Sequence, residues 1–211
     1  MLTTGSWRGS DCLIVGGGPS VTGFDFEPYA RGHVIGINMA ALRWPSSLCY
    51  VEDKRVLGRL KFLHEWPRPR IFHAVESNLP DLTGWQVLQS TGDLWSASLN
   101  AGLVHASNAG VSALNLACVL GADPIHLIGF DMIPAADGKT QHFHRDYPKD
   151  WRQPAHVFDR FLADFERYAP MAKAGGRRIV NLSPGSALTC FEKAEPKRFG
   201  IVGGNVRGNI A

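Results

Sequence analysis

The chain has 211 residues, 45% of them hydrophobic and 19% charged, with a formal net charge of +3. That length suits one domain with a sizeable core, and the composition excludes a disordered or low-complexity chain. The charge is too small to argue for nucleic acid by itself, and no apolar run is long enough to span a membrane.

The elements follow in chain order. Residues 1–10 read as a lead-in with no basic, apolar signal sequence, residues 11–194 as one α/β domain, and residues 195–211 as a loose, basic, glycine-rich tail. Short β-rich runs recur at Leu13–Val15, Val34–Ile37, Leu48–Val51, Ile71–Ala74, Gln86–Leu88, Ile125–Ile128 and Ile179–Leu182. Several are continuously apolar, as strands buried on both faces are. A helix is predicted over Lys54–Trp66. Another runs from Asn108 to Leu120, with Ser107 or Asn108 as its cap and Gly121 as its stop. A third runs from Pro154 to Ala174, where Phe158, Phe161, Leu162, Phe165, Tyr168 and Ala172 recur at helical spacing. The stretch from Glu76 to His105 is otherwise irregular. Strands alternating with helices predict a single Rossmann-like domain with a mostly parallel, doubly wound sheet and flanking helices. Cys12, Cys49, Cys118 and Cys190 lie far apart without metal-ligand spacing, which predicts reduced, buried thiols of a cytoplasmic protein.

The most informative segment is the first strand and its turn, Leu13-Ile14-Val15-Gly16-Gly17-Gly18-Pro19-Ser20. Glycines there let a ligand approach the backbone, and exposed N–H groups favour a phosphate. A dinucleotide fold fits badly. The position of the last fingerprint glycine is Val21, Pro19 removes an N–H, and the second strand ends in Asn38 where an acidic ribose ligand is expected. Asn38 suits a base edge or a ribose. In such sheets ligands bind at the carboxyl ends of the strands, which collects Gly16–Ser20, Asn38, Glu52, Asp53, Gly129, Asp131 and Asn181–Ser186 along one edge.

These segments, in this order, resemble a known superfamily. They are Leu13–Ser20, Ile37-Asn38, Tyr50–Arg55, Asn108–Val111 with Ala117–Ala122, Ile125–Met132 and His142–Pro148. The superfamily joins MptE-like proteins, named for 6-hydroxymethylpterin diphosphokinase, to motility-associated glycosyltransferase-like proteins and to bacterial sialyltransferases that use CMP-sialic acid. The chain is especially similar to small members encoded by bacteriophages, which would place it in a host cytoplasm. The resemblance implies a nucleotide-binding α/β fold. It carries donor binding onto Gly16, Gly17, Gly18, Pro19, Ser20 and Asn38, and onto Asn108, Ala109 and Gly110. The sialyltransferase histidine base falls near Asp146-Tyr147 here, with His142 and His144 close by. Two tyrosines that support the leaving phosphate in those enzymes have no clear equivalent, so sialic acid is not implied as the transferred group.

The chemistry-bearing residues divide as follows. Asp53 begins a charged helix and is either its N-cap or a ligand to substrate hydroxyls or a metal-bound phosphate. Asp131, at a strand end, is a base, an acceptor from a donor hydroxyl, a Mg²⁺ ligand or a loop cap. His142 and His144 suit a general base near neutral pH better than a metal site. His144, Arg145, Tyr147, Lys149, Trp151 and Arg152 form a basic, aromatic stretch that reads as a mobile lid over phosphates, as a surface that meets nucleic acid by charge and stacking, or as a solvated loop before a helix. Together these predict a nucleotide-dependent, glycosyltransferase-like enzyme. Its donor is of CMP or UDP type, with Mg²⁺ possible but not required and no resident metal. The catalytic candidates are His142, His144, Asp131 and Tyr147, with Asp53 and Arg145 at the donor. The acceptor is a glycan, a small molecule or modified DNA, and a homo-oligomer is compatible. The alternatives are an ATP- and Mg²⁺-dependent pyrophosphokinase, or a phage module that binds a nucleotide without turnover.

Overall fold

The computed structural model describes residues 1–29, 31–42, 46–58, 68–75, 81–133 and 140–196. Eight strands form one sheet: β1 (Cys12–Val15), β2 (His33–Ile37), β3 (Leu48–Val51), β4 (Arg70–Ala74), β5 (Gln86–Gln89), β6 (Ile125–Ile128), β7 (Ile179–Asn181) and β8 (Glu192–Lys193). Their order is β5-β4-β3-β2-β1-β6-β7-β8, and every pairing is parallel. The chain winds outward from β1 to β5, then returns to place β6 on the other side of β1. The expected Rossmann-like, parallel α/β fold is therefore the observed one. Strand β8 adds a short edge that its polar pair Glu192-Lys193 did not announce.

Alternation along the strands separates two cores. Cys12, Ile14, Ile35, Leu48, Tyr50 and Ile71 face α2 (Ala109–Leu120) and α3 (His156–Ala172). Leu13, Val15, Val34, Cys49, Val51 and Phe72 face the opposite side. Among the described residues that side is covered by short turns, by α1 (Lys54–Leu57) and by the segment around Phe143, Tyr147 and Trp151. Helix α2 is buried nearly all round between the sheet and α3, which is why it is built from small and aliphatic residues. Helix α3 buries only Phe165, Tyr168, Ala169 and Ala172, a single stripe at i, i+3, i+4 and i+7.

The predicted boundaries move in places. Asp53 caps α1, and Asn108 caps α2 by accepting from the N–H groups of Gly110 (2.9 Å) and Val111 (3.2 Å). Gly121 ends α2 in the left-handed region at φ 88°. Helix α1 reaches Leu57 with Gly58 as its C-cap, and the rest of the stretch expected to be helical, 59–66, lies outside the described residues. Helix α3 starts two residues after Pro154, with the turn Ala174–Gly176 behind it. The lead-in is docked: Trp7 is buried, stacks on His33 at 4.2 Å, and donates its N–H to the Leu120 carbonyl. The tail from residue 197 lies outside the described residues. All four cysteines are free thiols, and burial pushes Cys49 and Cys118 up to about 12, which keeps them unreactive.

The irregular stretch 91–107 is held by one buried amide. Asn115 on α2 accepts from the N–H groups of Ser96 (3.2 Å) and Val104 (3.1 Å) and donates to the Ser96 carbonyl (2.9 Å). This fixes the loop that carries His105, Ser107 and Asn108 over the carboxyl end of the sheet.

Candidate functional site

The polar residues collected at the carboxyl edge fall into two groups. Around β1, β6 and β7 they bind one another. Asp131 accepts from the Ser20 N–H (3.1 Å) and from its hydroxyl (2.8 Å), and the Ser20 Oγ accepts from the Gly129 N–H (3.2 Å). The Gly16 N–H donates to the Ile128 carbonyl (2.8 Å), and that of Gly18 to the Gly129 carbonyl (2.9 Å). The Ser183 hydroxyl accepts from the Phe130 N–H (2.9 Å), the Ser186 hydroxyl donates to the Phe130 carbonyl (2.5 Å), and Asn181 donates to Ser186 (3.0 Å).

This arrangement gives the glycine turn a second explanation. A Cβ on Gly16 would lie 2.7 Å from the Gly129 carbonyl oxygen, and one on Gly18 would overlap the Asp131 carboxylate. Two of the three glycines are therefore required by the approach of the β6 loop, and the N–H groups of Gly16, Gly18 and Ser20 already have protein acceptors. Gly17 differs: it borders an open cleft. Asp131 stands beneath the turn as its anchor, and its carboxyl lies above the usual range because of burial, against which the Ser20 hydrogen bonds act.

The cleft, of about 610 Å³, extends the other way, across the ends of β1 to β4. Gly17 stands at the end of β1, Asn38 at that of β2, and Glu52 and Asp53 at that of β3. His105 to Ala109, opening α2, form the roof. His142, His144, Tyr147 and Trp151 form one wall, with Lys54, Arg55 and Arg160 among its cations. Asn38 is one of two described non-glycine residues at positive φ (53°). Such strain is concentrated at ligand sites. Seven buried side-chain polar atoms among the described residues have no hydrogen-bond partner, and three belong to this cleft: Asn38 Oδ1, Ser107 Oγ and Asn108 Nδ2.

A charged network lies at the cleft floor. Glu52 accepts from the Tyr50 hydroxyl (3.1 Å) and lies 3.0 Å from His105 Nδ1 and 3.4 Å from His73 Nδ1. Burial pushes the Glu52 carboxyl up, but His105 and His73 overcome it and hold it at about 2. The Glu52 hydrogen bond raises His105 in turn, against its partial desolvation. The sequence placed Glu52 on the ligand edge without a role, and it did not single out His73 or His105. A faint signal existed: Tyr50 and Glu52 share one face of a strand, and His73 interrupts an apolar one.

The 141–153 segment packs on the glycine turn. The Phe143 N–H donates to the Gly17 carbonyl (3.0 Å), and Gln141 and Gln153 clasp its ends by reciprocal bonds of 2.6 and 2.8 Å. His142 stacks on His144 (5.5 Å) and meets the edge of Tyr147 (5.0 Å). Burial lowers His142, with the Gly17 carbonyl opposing. Asp53 is engaged by its own helix, accepting from the Arg55 N–H (2.8 Å) and guanidinium (2.6 Å). Arg55 lies 4.8 Å over the Trp151 ring. Arg145 lies outside the cleft, lining a second hollow of about 550 Å³ on the far side of the same segment.

Of the sequence-predicted residues, the structure brings Gly17, Asn38, Asp53, Asn108, Ala109, His142, His144 and Tyr147 to one cleft. It leaves Gly16, Gly18, Ser20 and Asp131 in the packed turn. Pro19 and Arg145 line the second hollow, and Gly110 lies behind the α2 cap against Phe130. Among the described residues no group of three or more His, Cys, Asp or Glu is placed to hold a metal ion, and no helix is long and apolar enough to cross a membrane. No family model, no curated protein and no solved structure matches the chain.

Proposed function

We propose that the cleft binds the nucleotide part of an activated donor, and that the protein is a glycosyltransferase-like enzyme moving the donor's sugar to a hydroxyl acceptor. The observation that carries this reading is the convergence of Asn38 Oδ1, Ser107 Oγ and Asn108 Nδ2, all buried and unpartnered, on one cleft. Buried polar atoms are nearly always bonded to protein, water or ligand, so three of the seven exceptions meeting at one cleft support a ligand there. An acceptor, a hydroxyl and an amide donor together complement a base edge or a ribose. Tyr147 and Trp151 offer rings for stacking, and Lys54, Arg55 and Arg160 with the α2 N-terminus favour the phosphates. The resemblance to MptE-like proteins and bacterial sialyltransferases supports the same placement for Asn38 and Asn108. His142, with its pKa lowered, suits the base that takes the acceptor's proton.

A thermal-shift panel of CMP, UDP, GDP, ATP and sugar nucleotides, each with and without Mg²⁺, tests this. A nucleotide at a hundred times its Kd stabilises the fold by about 2.7 kcal/mol, or about 5–10 °C for this size. A metal-independent shift with CMP, UDP or their sugars is expected. A shift only with ATP and Mg²⁺ turns the reading to the pyrophosphokinase, and no shift with any nucleotide overturns it.

A further inference from the structure

Of the three imidazoles that line the cleft, two stand against strand ends about two strand spacings apart, roughly 10 Å. His142 sits against Gly17 at the end of β1, and His105 against Glu52 at the end of β3, with Asn38 of β2 between them. The two environments are opposite. His142 faces His144, Tyr147 and the Gly17 carbonyl, with no carboxylate bonded to its ring among the described residues. His105 faces Glu52 directly, His73 behind it at 6.2 Å between ring centroids, and the charge of Asp164. Glu52 keeps 10% of its side chain open and His105 45%. The pair is therefore a nearly buried carboxylate set against a half-exposed imidazole at the cleft surface.

We infer that His105 is the acid of this cleft: clamped by Glu52, its imidazolium neutralises the leaving phosphate of the donor, opposite the base His142. The inference rests on the nucleotide reading above and assigns a role to a residue that reading does not need.

The step balances. The acceptor hydroxyl gives its proton to His142, and its oxygen attacks the anomeric carbon. That carbon's bond to the phosphate oxygen breaks, and the electron pair leaves on the phosphate. His105 meets the new charge through a hydrogen bond or by transferring its proton. Glu52 is a positioning residue. It engages Nδ1, which leaves Nε2 as the ring's other donor, and it favours the charged ring. The opposed shifts of the two histidines agree with this division of roles: burial lowers His142, and the Glu52 hydrogen bond raises His105.

The test uses two readouts on the whole protein. In the first, imidazole NMR signals are titrated from pH 5 to 9 alone and with saturating CMP or UDP. His105 is expected to titrate above 6.5 and His142 below it. The nucleotide phosphate should raise His105 further. The second is nucleotide release from CMP- and UDP-sugars across the same range. His105→Gln should lower kcat by roughly 10²–10⁴-fold with KM within a few-fold. Glu52→Gln should move the alkaline limb of the profile to lower pH, which a purely structural loss would not do. If Glu52→Gln does not fold, His105→Gln, a change at a half-exposed ring, decides alone. Nucleotide that binds the cleft while His105 neither shifts nor matters for release overturns this inference and leaves the nucleotide reading standing. Cleft signals indifferent to every nucleotide overturn both.

Discussion

The two halves of the sheet's carboxyl edge contain similar residues and use them differently. At β1, β6 and β7, Ser20, Asp131, Asn181, Ser183 and Ser186 satisfy one another and the backbone. At β2, β3 and the start of α2, Asn38, Ser107 and Asn108 leave buried atoms unpartnered around a cleft. The residue types do not separate a structural junction from a candidate binding site. What separates them is whether each polar atom already has its partner. In open α/β sheets ligands favour the crevice where strand order reverses, here between β1 and β6. That crevice is filled by the contact of Gly16 and Gly18 with Gly129 and Asp131, so the open space lies one strand further along.

If this contrast holds, substitutions in the first half change stability and those in the second change binding. The largest effect is expected from Gly18→Ala, whose methyl would lie 2.7 Å from the Gly129 carbonyl oxygen and overlap the Asp131 carboxylate. Denaturant unfolding should show a loss of about 3 kcal/mol or more, since neither neighbour can step aside cheaply.

Glu52 tests the border between the halves, because it is both buried and beside the cleft. Its carboxyl is held at about 2 against an ordinary value of 4.5. A depressed carboxylate contributes stability that is complete above the ordinary value and is lost as pH falls toward the folded one. Glu52→Gln should therefore flatten the acid limb of the stability profile between about pH 4.5 and 2, an effect of about 3 kcal/mol. His105 has the opposite sign: raised in the fold, it contributes below 6.5 and loses that contribution as pH rises through its folded value. Its exposure makes this decline shallow. An unchanged acid limb in Glu52→Gln would mean that the buried pair carries no net stability.

Asn38 sharpens the contrast by moving the two quantities in opposite directions. Asn38→Gly removes a left-handed strain and should raise stability by about 0.5–1 kcal/mol in unfolding. The same change should weaken nucleotide binding by about 1–3 kcal/mol in calorimetry, because the ligand loses a buried partner. Equal loss in both measurements would return Asn38 to a structural role. The smallest stability effect is expected from Ser107→Ala. Its hydroxyl has no partner to lose, so unfolding should change by less than about 0.5 kcal/mol while binding weakens.

Much of the architecture was legible in the chain. Continuous apolar runs marked β1 to β4, β6 and β7, and Asn108 and Gly121 bounded α2, because strand burial and helix caps are local properties. The pair Glu192-Lys193 was not legible as a strand: two polar residues at an edge carry no pattern. At the cleft, Asn38 was legible because it lies at a recognisable strand end, and the His142 segment because it concentrates imidazole, phenol and guanidinium groups within a few residues. The Glu52–His105 pair was not. It forms only when β3 pairs with β4 and a long irregular stretch folds back over both, and no local period records that. The glycine turn was legible as a close approach. Which partner approached was not, since a ligand and the β6 loop make the same demand on Gly16 and Gly18.

The amide of Asn115 has a further consequence. It bonds the loop at Ser96 and Val104 to the body of α2, and that helix begins at Asn108. His105, Ser107 and Asn108 are thus mounted on a single rigid support, while His142 is carried by a separate segment clasped at Gln141 and Gln153. The cleft is a two-jaw device. One jaw is aligned once, when the core forms. The other can be reshaped by sequence change between its two clasped ends without disturbing that alignment.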